Sequence, residues 1–138
     1  VLARGFQSFF GPTRLVLCIC VLAFVVGLAT WFAVGFYLLL PILFSLVRES
    51  KRPLLYLALP MMAMLSVLHG ITPPHPGPVT ALLELGANSG RVLLYGLLAG
   101  IPTAIIAGPV FAWVCRNQLP QVAVPEQVLN AADRNAPG

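Results

Sequence analysis

The sequence predicts an all-α integral membrane protein, and three observations carry that prediction. First, 59% of the 138 residues are hydrophobic and 9% are charged, with a mean hydropathy of +0.92. A soluble fold could not cover that much apolar surface. Second, the apolar residues form three long runs. Third, a proline-rich stretch that cannot be regular helix interrupts the middle run. We expect a helical hairpin, a proline-broken helix and one further span.

Charge and cysteine usage narrow the class of protein further. The formal net charge is +4, and the basic residues cluster at the ends of the apolar runs. This placement is typical of membrane topology, so we expect a lipid bilayer and no nucleic acid as partner, in a multi-pass inner-membrane protein. Cys18, Cys20 and Cys115 lie in apolar stretches without metal-ligand spacing. We therefore expect no metal and no cofactor.

The first apolar run, residues 15–47, follows a short lead-in at residues 1–14 that we expect to be cytoplasmic. The run has 33 residues without a charge, which exceeds the roughly 20 residues of one span. Arg14 precedes it and Arg48, Lys51 and Arg52 follow it, so both ends should face the cytoplasm. A hairpin that is re-entrant or fully spanning, with its turn near residues 30–35, satisfies both facts. One long tilted helix is the alternative.

The second element, residues 53–90, is predicted to be a transmembrane helix broken by a linker at residues 72–78. Four of the six residues from 73 to 78 are prolines, which remove backbone donors. In hydrocarbon, irregular backbone survives only where it is buried in protein or lines a polar cavity. We expect Pro60 to start the half-helix before the linker and Val79 to start the one after it. In an alternative layout, Leu54–Ile71 is a complete span and the prolines form an external loop.

The third run, residues 92–115, is predicted to be a conventional span of 24 residues. It contains three glycines and two prolines, which suit close helix packing in lipid. Residues 116–138 are polar and should form a cytoplasmic linker.

The proline-rich break carries the groups that could bind a ligand. A helix that restarts there would aim N–H groups and partial positive charge at an anion, and Gly77 would let the backbone come close. Thr72 and Thr80 can hydrogen-bond carboxylate or hydroxyl groups. His75 lies within the break and is the better candidate for proton exchange, whereas His69 ends the preceding helix. In the alternative interpretation, the histidines only satisfy buried carbonyls.

The stretch at residues 69–79, His-Gly-Ile-Thr-Pro-Pro-His-Pro-Gly-Pro-Val, resembles the signature of the gluconate permease family, which are proton symporters for sugar acids. Similar pieces surround Trp31, Tyr95 and Pro102, so the resemblance covers about residues 11–116. It implies a transporter built from two inverted repeats, of which this sequence would supply most of the first. The family pattern has an acidic residue where this sequence has Ala33.

These observations predict part of a secondary active transporter, and no enzyme, that takes up gluconate or a related sugar acid with protons. The remainder of the same chain would complete it. The resemblance implies a site between the hairpin tip and the break. The candidate substrate-binding residues are Thr72, Pro74, His75, Gly77, Thr80 and Gly35, and the proton-coupling candidates are His75 and His69. The alternative is a degenerate homologue or a non-transporting membrane module whose prolines only kink a helix.

Overall fold

The computed structural model describes residues 12–73, 75–115 and 117–120, and they are helical apart from short connections. The elements are α1 (Pro12–Ala29), α2 (Phe32–Ser50), α3 (Leu54–Ile71), α4 (Pro76–Glu84), α5 (Ser89–Ile105), a π-helical segment (Ile106–Val110) and α6 (Phe111–Cys115). Within these residues, Phe32–Ser50, Leu54–Glu84 and Ser89–Cys115 are long and apolar enough to cross a membrane, and Arg14–Ala29 is a shorter apolar helix. The all-α prediction is confirmed.

The first apolar run consists of two helices, α1 and α2, rather than one. They meet at Thr30 and Trp31, where the turn was expected. The Thr30 hydroxyl donates to the Val26 carbonyl at 2.8 Å, and the Thr30 N–H donates to the same carbonyl at 2.9 Å. Trp31 is extended, with φ −66° and ψ 152°. The alternative of one continuous helix is therefore wrong, because the backbone leaves the helical conformation at this point.

The second run is interrupted, as predicted, but two of its expected bounds are wrong. Helix α3 begins at Leu54 and ends at Ile71, the bounds that the alternative layout gave, and it contains Pro60 in its interior. Neighbouring helices compensate for the helical hydrogen bond that such a proline removes. Helix α4 begins at Pro76, three residues before Val79, because the fixed φ of proline suits the first helical position. The interruption is thus four residues long, and Pro74 lies outside the described residues.

Helix α3 is the central helix of the bundle. It packs against α1, α2, α5 and the π-helical segment. Its buried residues are Tyr56, Leu57, Ala58, Pro60, Met61, Met64, Leu65 and Leu68. A helix buried on so much of its circumference is typical of one enclosed by other helices. The packing holds the last turn of α3, and the interruption that follows it, in a defined place.

Glycines of the third run allow α5 and the π-helical segment to approach α3 closely. Gly96, Gly100 and Gly108 are buried. A Cβ atom on Gly96 would lie 2.9 Å from the Ile71 carbonyl oxygen at the end of α3. The π-helical turn coincides with Pro109, which cannot donate the regular helical hydrogen bond. Outside these contacts α5 and α6 expose large apolar side chains, including Leu98.

Candidate functional site

The His75 ring lies between the two places where the chain leaves the helical conformation. Its Nδ1 atom is 2.8 Å from the Thr72 carbonyl oxygen, and its Nε2 atom is 3.0 Å from the Thr30 carbonyl oxygen. The residue is 2% exposed. His75 is also the residue that immediately precedes α4. One side chain therefore connects the α1–α2 junction to the interruption between α3 and α4, across 45 positions of sequence.

The two carbonyl partners define what the His75 ring has to supply. A carbonyl oxygen only accepts hydrogen bonds, and a neutral imidazole carries one N–H donor, whereas the imidazolium carries two. Both contacts are hydrogen bonds at once only when the ring is protonated. The histidine does satisfy buried carbonyls, as the alternative interpretation of the sequence expected. The number of carbonyls to which it can donate depends on its protonation state, being one for the neutral ring and two for the imidazolium.

His69 lies beside His75 and has a different set of partners. The two rings are 4.8 Å apart between centroids and meet edge to face at 74°. The His69 Nδ1 atom is 3.5 Å from the Phe32 backbone N–H group, which donates to it. This contact requires an unprotonated Nδ1, so it fits neutral His69 with its proton on Nε2. The half-buried His69 thus contacts Phe32, the first residue of α2, while His75 contacts Thr30.

Thr72 supplies a buried polar side chain at the end of α3. It is 0% exposed. Its hydroxyl donates to the Leu68 carbonyl at 2.7 Å, and its N–H donates to the same carbonyl at 3.0 Å. The hydroxyl oxygen is 3.5 Å from the His75 Nδ1 atom. Thr72 therefore both ends α3 and lines the pocket that holds the imidazole.

Gly35 belongs to the same cluster through its contact with Thr30. A Cβ atom at Gly35 would lie 2.9 Å from the Thr30 hydroxyl oxygen and 3.0 Å from Leu65 Cδ2, closer than such contacts usually are. The position favours glycine because a side chain would push against the residue whose carbonyl accepts from His75. The structure thus brings together four of the predicted residues: Thr72, His75, Gly35 and His69.

Gly77 and Thr80 lie on the exposed part of α4 instead. The Thr80 hydroxyl donates to the Pro76 carbonyl at 2.9 Å, and a Cβ atom at Gly77 would meet nothing within 4 Å. The expectation of several donors at the start of this helix is wrong. The helix begins with Pro76, Gly77 and Pro78, and because proline has no N–H group, Gly77 alone offers one.

The start of α2 has the donors that the start of α4 lacks. Phe32, Ala33 and Val34 are its first residues, and Trp31 before them makes no side-chain capping bond. The first N–H groups of a helix have no partner within the helix. Of these three, the Phe32 N–H points to His69. Ala33 and Val34 are exposed among the described residues.

Thr30 and Phe32 were not predicted as site residues. Thr30 contributes a backbone carbonyl oxygen, which every residue has, and Phe32 contributes a backbone N–H, which every residue except proline has. No side-chain pattern marks such a contribution. The nearest signal was the expected turn near residues 30–35, which placed the α1–α2 junction without showing what it would touch.

Other features of the described residues do not provide a second polar site. Within the part of the chain that the structure describes, no group of three or more His, Cys, Asp or Glu side chains could hold a metal ion. An open groove of about 530 Å³ lies between α3 and the π-helical segment, and its lining includes Leu59, Met62 and Ile106. The one hydroxyl side chain in that lining is Ser66, so the groove lacks the donors that a sugar acid requires.

Interrupted apolar helices that meet at polar groups are typical of secondary transporters. The chain belongs to the GntP family of permeases, whose family model matches residues 1–137. It is a bacterial cell-membrane family of transporters, not of enzymes. The recognition of the gluconate permease family from the sequence is confirmed.

Three relatives illustrate the similarity. A gluconate permease of Bacillus subtilis is 45% identical over 111 residues, which cover 80% of this chain and 25% of the relative. The Gnt-II system L-idonate transporter of Escherichia coli is 50% identical over 103 residues, covering 75% and 24%. The high-affinity gluconate transporter of the same organism is 44% identical over 108 residues, covering 78% and 25%. The chain thus spans about a quarter of the length of these relatives. No solved structure matches it significantly.

Proposed function

We propose that this chain forms part of a secondary active transporter that takes up gluconate or a related sugar acid together with protons. The observation that carries the proposal is the His75 ring held between the Thr30 and Thr72 carbonyls. It is a buried titratable group that connects two helix interruptions, and such groups inside membrane proteins mark proton and substrate pathways. The relatives, a gluconate permease and an L-idonate transporter, supply the substrate class.

The substrate would lie on the exposed side of this cluster. Its carboxylate would approach the first turn of α2, where the N–H groups of Ala33 and Val34 and the helix dipole favour an anion. Its hydroxyl groups would reach toward Thr80 and the backbone at Gly77, where open space surrounds the helix. Thr72 and His75 are buried and would act behind the substrate, as the groups that respond to the proton.

Burial of the interruption supports a broken helix over the alternative of an external loop. Thr72 and His75 are 0% and 2% exposed, whereas a loop in water would leave such polar side chains exposed. We further propose that α1 and α2 form a hairpin with both ends in the cytoplasm, within the first of two inverted repeats. Cysteines replacing Arg14 and Lys51 should then be labelled from the same face of the membrane, and labelling from opposite faces would exclude the hairpin.

Uptake of labelled gluconate by cells that express the complete protein tests the proposal. We expect uptake that an inward proton gradient drives, that L-idonate inhibits and that glucose, which lacks the carboxylate, does not. His75→Gln should retain downhill gluconate exchange and lose gradient-driven accumulation, because exchange needs the substrate site whereas accumulation needs the proton.

The matched control is Thr103→Val. The Thr103 hydroxyl donates to the carbonyl four residues earlier, that of Ala99, at 2.7 Å, as the Thr72 hydroxyl does to Leu68. Thr103 is exposed, however, and makes no described contact with the histidines. This variant should accumulate gluconate normally. Absence of gluconate transport by the complete protein would favour the non-transporting module, and normal accumulation by His75→Gln would remove His75 from the proton route.

A further inference from the structure

We propose that His75, when it becomes neutral, keeps its proton on Nδ1 and gives up the one on Nε2, and that Thr72 is the positioning residue that imposes this choice. Loss of one proton then cuts the hydrogen bond to Thr30 and leaves the bond to Thr72 intact. The link to transport rests on the function proposed above. The choice of nitrogen rests on the local geometry alone.

The partners of Nδ1 leave it no role except donor. The Thr72 carbonyl oxygen is 2.8 Å away and can only accept. The Thr72 hydroxyl oxygen is 3.5 Å away, and its own hydrogen is directed to the Leu68 carbonyl at 2.7 Å. Nδ1 therefore faces lone pairs from two oxygen atoms. An unprotonated Nδ1 would place a third lone pair among them in a buried site, which is unfavourable.

Among the described residues, Nε2 has one hydrogen-bond partner, and it comes from a different segment. It is the Thr30 carbonyl oxygen at 3.0 Å. When the ring holds one proton, we expect that proton on Nδ1, which has the shorter contact and two oxygen neighbours. We expect Nε2, which has the longer contact and one oxygen neighbour, to be unprotonated. The Nδ1 partners belong to the same interruption as His75, only three residues away. The Thr72 oxygens therefore remain beside the ring if the two interruptions move apart, whereas the Thr30 carbonyl does not.

The titratable group that faces His75 among the described residues is His69 on α3, with its ring centroid 4.8 Å away. From the α1–α2 junction, the Thr30 carbonyl contacts His75, and the Phe32 N–H at the start of α2 contacts His69. Because His69 accepts from the Phe32 N–H through Nδ1, its neutral form carries the proton on Nε2. The two neighbouring histidines should therefore adopt opposite neutral tautomers.

The consequence is a proton-dependent connection between the two helix interruptions. With the imidazolium, His75 donates across to Thr30 and holds the α1–α2 junction against the start of α4. With the neutral ring, Nε2 presents a lone pair to the Thr30 carbonyl, so the contact becomes repulsive. The start of α4, which His75 immediately precedes, is then no longer tied to the α1–α2 junction. Proton release and relative movement of the two interruptions are thereby coupled through one hydrogen bond.

Nitrogen-15 NMR of the histidine-labelled complete protein in lipid bilayers tests the tautomers directly. His75→Gln and His69→Gln difference spectra assign the two rings, and His75→Asn, which keeps a donor near the δ position, provides a second assignment if the first variant does not fold. We expect His75 to convert from imidazolium to the Nδ1-protonated tautomer as the pH rises, and neutral His69 to be Nε2-protonated. A neutral His75 with its proton on Nε2 would overturn the proposal.

The role of Thr72 requires a comparison of three variants. Thr72→Ser keeps the hydroxyl and should preserve both the His75 tautomer and gluconate accumulation. Thr72→Val removes the hydroxyl but keeps the backbone carbonyl that lies 2.8 Å from Nδ1, so neutral His75 should still carry its proton on Nδ1. Thr103→Val should change neither. A neutral His75 protonated on Nε2 in Thr72→Val would mean that the backbone carbonyl of residue 72 does not impose the choice.

The two measurements also separate this proposal from the proposed function. If the tautomers are as expected but no gluconate is transported, the geometry stands and the assigned function is wrong. If gluconate accumulates but neutral His75 is protonated on Nε2, the function stands and the connection through Thr30 is wrong.

Discussion

The chain leaves the helical conformation between α1 and α2 and again between α3 and α4. The preceding helices end in the same way at both places, whereas the following helices begin differently. Thr30 and Thr72 each use a hydroxyl and an N–H group to bond the carbonyl four residues earlier. After Thr30 the chain restarts a helix whose first three residues, Phe32, Ala33 and Val34, all have N–H groups and no titratable side chain. After Thr72 it restarts with His75 and a first turn that has two prolines. In the proposed function, the first interruption would bind the anion and the second would carry the proton.

The packing around the two restarts also differs. Gly35, in the first turn of α2, lies against Thr30 and Leu65, whereas Gly77, in the first turn of α4, has open space around it. The α1–α2 junction is held by α3, and the exposed start of α4 is held mainly through His75 and the end of α3. An added side-chain atom should therefore disturb the packing at the start of α2 more than at the start of α4.

The largest effect is expected where the end of α3 meets α5. Gly96→Ala would place Cβ 2.9 Å from the Ile71 carbonyl oxygen, and a backbone atom cannot rotate away. We expect the variant to lose about 1–3 kcal/mol of unfolding free energy, as overpacked sites do. Denaturation of the purified complete protein in detergent would measure it.

The control for that experiment is Gly100→Ala on the same helix. Its Cβ would lie 3.8 Å from Val67 Cγ1, an ordinary contact, and alanine favours helix over glycine by up to about 1 kcal/mol. Equal stability of the Gly96 and Gly100 variants would mean that the second interruption is not held against α5.

A smaller effect is expected at Gly35, because its neighbours are side chains that can shift. Gly35→Ala should cost about 1–2 kcal/mol and should also reduce proton-driven gluconate accumulation, since it displaces Thr30 from His75. Gly77→Ala is the matched variant in the other restart and should leave stability unchanged or slightly raised. If both variants are equally stable and equally active, the difference in packing between the two restarts has no functional meaning.

The smallest effect concerns the charge at the start of α2. Ala33→Asp should stabilise this helix by about 0.3–1 kcal/mol at low ionic strength, and Ala33→Lys should destabilise it by a similar amount, because the helix dipole favours negative charge at this end. Salt should diminish both effects. A loss of about 2.5 kcal/mol or more in both variants would indicate that Ala33 faces hydrocarbon rather than a polar cavity.

Much of the fold followed from elementary properties of the residues. Three charge-free runs predicted the apolar helices, because their lengths match or exceed a bilayer. Proline chemistry located the interruption, and the same chemistry explains why α4 begins at Pro76 and has so few donors. His75 stood out because it is a titratable residue inside the interruption.

Only the tertiary structure determined which groups these residues meet. The sequence contains no sign that His75 would contact Thr30, because the acceptor is a backbone carbonyl 45 positions away, and all residues have one. Gly35 and Gly77 look alike in sequence, yet one is enclosed and the other open, because α3 passes beside the first. Composition and local chemistry therefore determined the helices and their breaks, while the packing of α1, α2 and α3 decided how the breaks meet, since contacts between distant segments depend on that packing.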